Sequence, residues 1–262
     1  MPASRVSVSE LNALTPQRFA AILAGPAASA LPWLRAAAEA GLAEAQAVLG
    51  QWLLDGRGQA ADPCEAAGWF ARAAEQQHPM AMNMLGRCLR QGWGVEVNLV
   101  MAAYWFGLAA QAGLAWGMYN YATALALGEG VPQARGQALH WLQQAADQGH
   151  AKSLNLLGGF HEDGWEVQTD LGAALALYRR AAAGGDFRGA FNCARLLARQ
   201  GGIDEALTYL DQVPAGATPA FLAQAAEHLL ASHAEALRAR GRAFTVMLNS
   251  RAAQGVAASA PR

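Results

Sequence analysis

The chain has 262 residues, 53% of them apolar and 15% charged, with a formal net charge of −1. That balance excludes bulk attraction to nucleic acid or to an anionic membrane surface. Alanine and leucine abound and no stretch sustains two-residue alternation, so the pattern predicts an all-α fold.

Taken in order, residues 1–15 are polar and unpatterned and are expected to form a flexible N-terminus. Residues 16–41 read as N-terminal capping helices. Thr15 is the N-cap of the first, Pro16 its first-turn residue, and Gly25-Pro26 its end. The second, about 31–40, carries Trp33, Ala37 and Ala38. Phe19 to Ala30 resembles the apolar core of a secretory signal, with Arg5 and Arg18 before it. Glu10 and Pro16 lie in what would be its charged region, and the apolar run ends at Ala24. A cytoplasmic location is therefore expected, with a periplasmic one as the alternative if residues 1–30 are cleaved. No run reaches the roughly 20 apolar residues of a membrane-spanning helix.

A 36-residue period begins at Trp33 and organises a repeat array over residues 42–214. Trp33-Leu34, Trp69-Phe70, Trp105-Phe106 and Trp141-Leu142 are each followed, in register, by an Ala-Ala pair, as at Ala73-Ala74 and Ala109-Ala110. Leu177-Tyr178 with Ala181-Ala182 is a degenerate fifth copy. A fixed period in this range marks stacked repeats, in which each unit buries its apolar face on its neighbours. The units run about 42–77, 78–113, 114–149, 150–185 and 186–214. In the second, Met80–Arg90 is the first helix and Gln91–Val95 the loop. Asn98 caps the second helix, which runs to Gln111, and Gly113 closes the unit in the left-handed conformation, as Gly41, Gly149 and Gly185 do elsewhere. Trp105 and Ala109 share a face, the ring filling the gap between units. Leu85-Gly86, like Leu49-Gly50 and Leu157-Gly158, pairs a core residue with one lacking a side chain. Glycine in a helix costs about 1 kcal/mol relative to alanine, so its recurrence implies close packing.

The fifth unit is four residues short, with Gly201-Gly202 in place of the loop and Val213-Pro214 as its stop. Residues 215–249 are expected to be C-terminal capping helices, with a break near Gly241, and residues 250–262 a disordered tail. The arginines of this end, Arg238, Arg240, Arg242, Arg251 and Arg262, are read as a solvated helix end.

Ala81 to Gly86 (A-x-x-x-L-G), Gly92-Trp93-Gly94-Val95, Gly128-Glu129-Gly130-Val131-Pro132 and Ala102 to Phe106 together resemble the Sel-one-like repeat, a relative of the tetratricopeptide repeat, over about residues 31–212. The resemblance implies about five antiparallel helix pairs stacked as a right-handed α-α superhelix with helical caps. It also implies a non-catalytic scaffold for protein partners, often in bacterial signalling, envelope assembly or host interaction. Secreted, cysteine-rich members carry a regular cysteine pair per repeat. Here Cys64, Cys88 and Cys193 are odd in number and off the period, which fits reduced, small apolar residues.

No constellation for chemistry emerges. His78, His140, His150, His161, His228 and His233 form no metal-ligand spacing, and His78 and His150 fall in matching turns. Adjacent residues on a helix diverge, so His161-Glu162-Asp163 is not read as a metal site. Gly128-Glu129-Gly130 lacks the Lys-Ser/Thr end of a phosphate loop, and no nucleophile elbow occurs. No catalytic residue, metal or cofactor is expected, with a divergent enzyme as a remote alternative. The loop tryptophans Trp93 and Trp165 either anchor a partner or, the favoured reading, fold onto a neighbouring unit.

By analogy with tetratricopeptide arrays, the first helix of each pair lines a concave groove. Offsets from the Leu-Gly glycine then select Asn83, Arg87 and Arg90 in the second repeat and Trp116, Tyr119, Asn120 and Thr123 in the third. They select Lys152 and Asn155, with Glu162 and Asp163, in the fourth, and Arg188, Phe191, Asn192, Arg195 and Arg199 in the fifth. Asparagine pairs with an extended backbone and arginine with carboxylates. The expected partner is therefore a protein or peptide, acidic or ending in a free carboxylate, and neither nucleic acid nor membrane. The main reading is a cytoplasmic adaptor; the alternative is an exported periplasmic scaffold in envelope assembly.

Overall fold

The computed structural model describes residues 6–258. Its elements are all helical: α1 (Val8–Asn12), α2 (Pro16–Leu23), α3 (Ala27–Glu39), α4 (Ala43–Asp55), α5 (Pro63–Glu75), α6 (Pro79–Gln91), α7 (Leu99–Gln111), α8 (Ala115–Leu127), α9 (Arg135–Asp147), α10 (Ala151–Asp163), α11 (Leu171–Ala183), α12 (Phe187–Arg199), α13 (Ile203–Leu210), α14 (Val213–Gly216), α15 (Pro219–Leu230) and α16 (Glu235–Ala258). They fall in two compact units, one ending at Trp141 and the other beginning at Leu142.

The repeat period is visible in the ends of the helices. Asp62, Asn98 and Asp170 occupy one position of the period, and each side chain accepts from the backbone N–H three residues on. Such a cap contributes about 1 kcal/mol. Gly41, Gly113, Gly149 and Gly185 close their pairs at φ between 78° and 93°, where an L side chain is strained.

Packing within each pair turns on the Leu-Gly step. In the first unit a Cβ added to Gly86 would lie 2.6 Å from Cε1 of Phe106, and one added to Gly50 would lie 2.8 Å from Cε1 of Phe70. In the second unit Gly158 stands 2.6 Å by the same measure from Cε1 of Tyr178. Each glycine thus lets an aromatic ring lie on helix backbone. The ring that does so is the second of the Trp-aromatic pair. Phe106 is 1% exposed, whereas Trp105, expected to fill the gap, is only half-buried at the edge of the seam. In the fifth repeat the glycine is Ala194 and the ring is Leu210, both buried in one cluster. The Ala-Ala step serves the next pair, since Cβ atoms added at Gly117 and Gly189 would fall 2.6 Å and 2.5 Å from Cβ of Ala109 and Ala181.

The ends differ from expectation. Residues 8–12 form α1, held by a capping box in which Ser7 and Glu10 satisfy each other's backbone N–H groups. Phe19, Ile22 and Leu23 of α2 pack on the core of the first unit. At the other end α16 runs unbroken through Gly241 and past residue 250. A Cβ on Gly241 would meet the Ala226 carbonyl at 3.0 Å, so this glycine marks a close helix crossing rather than a stop. The four residues 259–262 of the expected tail, Arg262 among them, lie outside the described residues. The other arginines of this end are engaged within the fold. Arg238 and Arg242 bond Glu235, Arg240 pairs with Asp211, and Arg251 donates to the Pro214 carbonyl.

The three cysteines are free thiols. Cys88 and Cys193 are buried and their thiols are pushed up to about 11 by burial, whereas Cys64 is exposed rather than part of the core. Among the described residues no helix is long and apolar enough to cross a membrane.

The ring-on-glycine contact makes a quantitative prediction. Gly86→Ala gains helix propensity but overpacks Phe106, for a net loss of about 1–3 kcal/mol. Adding Phe106→Leu, the pairing the chain uses at Ala194 and Leu210, restores part of that loss. Urea titration of the two single variants and the double variant measures the coupling. Strict additivity would show that the contact does not set the packing.

Candidate partner-binding face

The residues selected for the groove fall into three groups. The first is spent on internal bonds. Asn83 and Asn120 are 2% and 7% exposed, and Asn120 Nδ2 donates to Asn83 Oδ1 at 2.7 Å, joining α6 to α8. They are not free to face a peptide. In the second unit Asn192 Nδ2 donates to Asn155 Oδ1 at 2.9 Å, joining α12 to α10 in the same way. Arg90 pairs with Glu129 at 2.7 Å. Thr123 donates to the Tyr119 carbonyl on its own helix at 2.8 Å. Each of these side chains left the solvent for a partner in the adjacent repeat or turn, and a buried amide without a partner would be costly.

Arg195 belongs to the same group. Its Nη1 and Nη2 donate to Oε1 and Oε2 of Glu162 at 2.7 Å and 2.5 Å. Tyr178 Oη donates to Oε2 of the same carboxylate at 2.9 Å. One carboxylate therefore ties α10, α11 and α12 together. The Arg195 bonds, and then that of Tyr178, hold the Glu162 carboxyl below its usual range against the opposing effect of burial.

The second group stacks on aromatic rings. Arg87 lies over Trp93, 4.9 Å from the ring centre, so this loop tryptophan folds onto its own unit. Trp165 packs edge-on against Phe160 and keeps 39% of its surface exposed. Arg188 is exposed and lies over Phe187 and Phe221 at 4.6 Å and 5.5 Å. Trp116, 40% exposed, meets Tyr119 edge-on at 6.3 Å. Lys152 is half-buried near the start of α10.

The third group lines a cleft. Phe191, Arg195 and Arg199 of α12 meet residues of α13, α15 and the start of α16 around a volume of about 470 Å³. Ala194, Ala198, Ile203, Leu210, Leu229 and Leu237 make its walls apolar, His228 lies in the last turn of α15, and Ser232 and His233 lie in the turn joining α15 to α16. Arg238 holds that turn by donating to the carbonyls of Ser232 and His233, both at 2.9 Å. Phe191 stacks edge-on between Phe221 and His228, each at 5.6 Å. Arg199 reaches Glu162 only at 3.3 Å and keeps 60% of its side chain exposed, so it is the cation that the cleft presents to solvent. Of the residues selected for the groove, Phe191, Arg195 and Arg199 border this cleft; its other walls, from α15 and α16, lie outside the 36-residue period.

Two groups in the second unit should make it acid-sensitive in stages. Burial, and then Lys152, push His150 down to about 4. An unfolded imidazole takes up its proton near pH 6.5. The unfolded state therefore binds more protons below that value, and stability present at pH 7 is lost between about pH 6.5 and 4. The Glu162 contribution is complete above the ordinary carboxylate value and is lost as pH falls through its lowered folded value. Chemical denaturation across this range should show both stages in the wild type and only the second in His150→Asn; equal losses in both chains would contradict the assignment. Glu162→Gln should cost about 1–3 kcal/mol at pH 7, a discounted figure because part of the cluster faces water. An unchanged denaturation midpoint would show that the cluster holds nothing.

The comparisons agree with this architecture. The family model described as Sel1 repeat matches residues 43–78, 79–114, 117–150 and 151–186. No curated protein matches the chain significantly. Among solved structures, a Sel1 repeat protein from Oxalobacter formigenes is similar at TM-score 0.76 and 21% identity, over 90% of this chain and 99% of that one. The protective antigen c5321 of uropathogenic Escherichia coli, which displays an SLR fold, is similar at TM-score 0.66 and 25% identity. That match covers 86% of this chain and 49% of the antigen, so the chain spans about half the antigen's length. The immunity protein Pa5087 from Pseudomonas aeruginosa shares the fold at TM-score 0.52 and 19% identity, over 82% of this chain and 89% of that one. With a 36-residue period, its recurring caps and close-packed glycine steps, and four matched repeats over more than half its length, the chain belongs to the Sel1 repeat family.

Proposed function

We propose that this chain is a non-catalytic scaffold that binds a protein or peptide partner through the cleft of its second unit, with the partner placing an apolar side chain there and a nearby carboxylate on Arg199. The observation that carries this reading is the pairing of apolar walls with one largely exposed guanidinium. Sel1 repeats commonly mediate protein–protein interaction and are generally non-catalytic, which supports a binding role. Arg195 is already satisfied by Glu162, so the carboxylate-binding role expected of several arginines narrows to Arg199. The cytoplasm is the compartment we propose, supported by cysteines that are odd in number and off the repeat period.

Magnitudes limit what the cleft can do alone. Burying one large apolar side chain contributes about 1.5–3 kcal/mol, and a charge-assisted hydrogen bond about 1.5–3 kcal/mol. Set against an association cost of at least about 4 kcal/mol, their sum of about 3–6 kcal/mol leaves an affinity of tens of millimolar at best. Tighter binding requires further contacts, which Arg188, Phe191 and Lys152 are placed on the same unit to provide.

Fluorescence anisotropy with short peptides tests the reading. Peptides ending in leucine or phenylalanine with a free carboxylate, or carrying an acidic residue beside the apolar one, should bind about tenfold tighter than their amidated or Gln counterparts. Arg199→Glu should abolish that difference. Equal binding of charged and neutral peptides by the wild type would sink the carboxylate assignment.

A further inference from the structure

Residues 97–128 contain no Asp, Glu, Lys or Arg. In a chain that is 15% charged, a stretch of that length would ordinarily carry about five such residues. The stretch spans α7 and α8, and α7 is apolar on both of its faces. Its inner face, Ala102, Ala103, Phe106, Ala109 and Ala110, is buried as the repeat requires. Its outer face should be polar on an ordinary surface helix. Instead Val97 at the entry to the helix is 60% exposed, Val100 64%, Met101 39% and Tyr104 54%.

The repeat does not impose this. At matching positions of the period, Val100 is replaced by Cys64, Gly136 and Gly172, and Tyr104 by Gly68, His140 and Ala176. Stacking therefore needs only a small or polar residue there, and large apolar ones add nothing to the unit that carries them. Val97, Met101, Tyr104 and Leu108 follow one another at helical spacing and form a single stripe. Beside the stripe, Val100, Tyr104, Leu108, Tyr121 and Val131 border a shallow depression of about 300 Å³.

We propose that this face of α7 is a self-association surface on which a second copy of the chain docks by two-fold symmetry. A two-fold contact sets a patch against itself. A charge-free stripe meets that condition without opposing like charges, whereas it offers no electrostatic address to a different partner. The area is also adequate. Val97, Val100, Met101 and Tyr104 at these exposures, with the half-buried Leu108, Tyr121 and Val131 beside them, present on the order of 500 Å² of apolar surface, within the range of the largest patch a monomer carries. Two copies together would cover about 1,000 Å², the threshold for a specific contact. The depression beside the stripe is a receptacle for Met101 of the second copy, a flexible side chain suited to an irregular hollow. This surface shares no residue with the α12 cleft and does not depend on the reading of that cleft.

Analytical ultracentrifugation of the full chain, up to about 100 µM, tests the proposal. The wild type should sediment at twice its 27.5 kDa mass. Val100→Asp and Tyr104→Asp should each weaken association by at least about 100-fold, because each would bury an unpaired charge at the contact. Both sites are exposed in the single chain, so helix content should be unchanged, and melting should match the wild type at concentrations low enough that both are monomeric. Val246→Asp on α16 alters a residue equally exposed at 64% outside the patch and should leave the dimer intact. A wild type that stays monomeric, assembly that continues past two copies, or a dimer that survives Val100→Asp would each overturn the proposal. So would dissociation caused equally by Val246→Asp.

Discussion

The contact on which the repeats depend is an aromatic ring lying on the backbone of a helix at a missing side chain. Gly50, Gly86 and Gly158 each give up about 1 kcal/mol of helix propensity to admit Phe70, Phe106 and Tyr178. The ring then buries its face against the first helix, a gain of about 1.5–3 kcal/mol that exceeds the propensity lost. The close approach fixes the separation of the two helices, and the Ala-Ala step fixes that of the next pair. Size complementarity explains the exception in the second unit, where Ala194 meets the smaller Leu210. That substitution, with the shortened α13, lies at the cleft, which both residues line.

Polar side chains between neighbouring first helices serve a second purpose. Asn83 with Asn120, Asn155 with Asn192, and Glu162 with Arg195 join adjacent repeats across a largely apolar seam. Apolar seams tolerate sliding, whereas an amide pair or a bidentate ion pair is satisfied in one register. These bonds consume the hydrogen-bonding capacity that a ligand would otherwise use. On the reading proposed above, recognition falls to Arg199, the stacked Arg188 and the aromatic and apolar surface around Phe191.

Much of this was legible in the sequence because a repeat amplifies local signals. The period, the N-cap at Asn98, the closing glycines and the Leu-Gly step each recur, so copies reinforce one another where a single motif would be weak. The offset rule placed Asn83 and Asn120 in the concave groove, facing a peptide. It carried no information on whether the neighbouring repeat lies within hydrogen-bond reach, and here it does. Gly241 was misread as a break because a glycine that ends a helix and one that admits another helix look alike in sequence. The cleft escaped for a different reason: α15 and α16 follow no repeat, and their meeting with α12 is a tertiary fact. The exposed stripe on α7 was hidden by the opposite effect, since a run of apolar residues inside an array reads as core.

The scaffold reading places partner recognition at the point where the repeat pattern is broken. Regular units supply rigidity through ring-on-glycine packing, and the irregular fifth unit and its cap supply a cleft with one available cation. Site-specific photocrosslinking in the source cell tests this placement most directly. A photoreactive residue at Ala198, on the cleft wall, should capture a discrete protein partner, whereas one at the exposed Ala176 of α11 should not. Capture that is absent at Ala198, or identical at both positions, would contradict a partner held in the cleft.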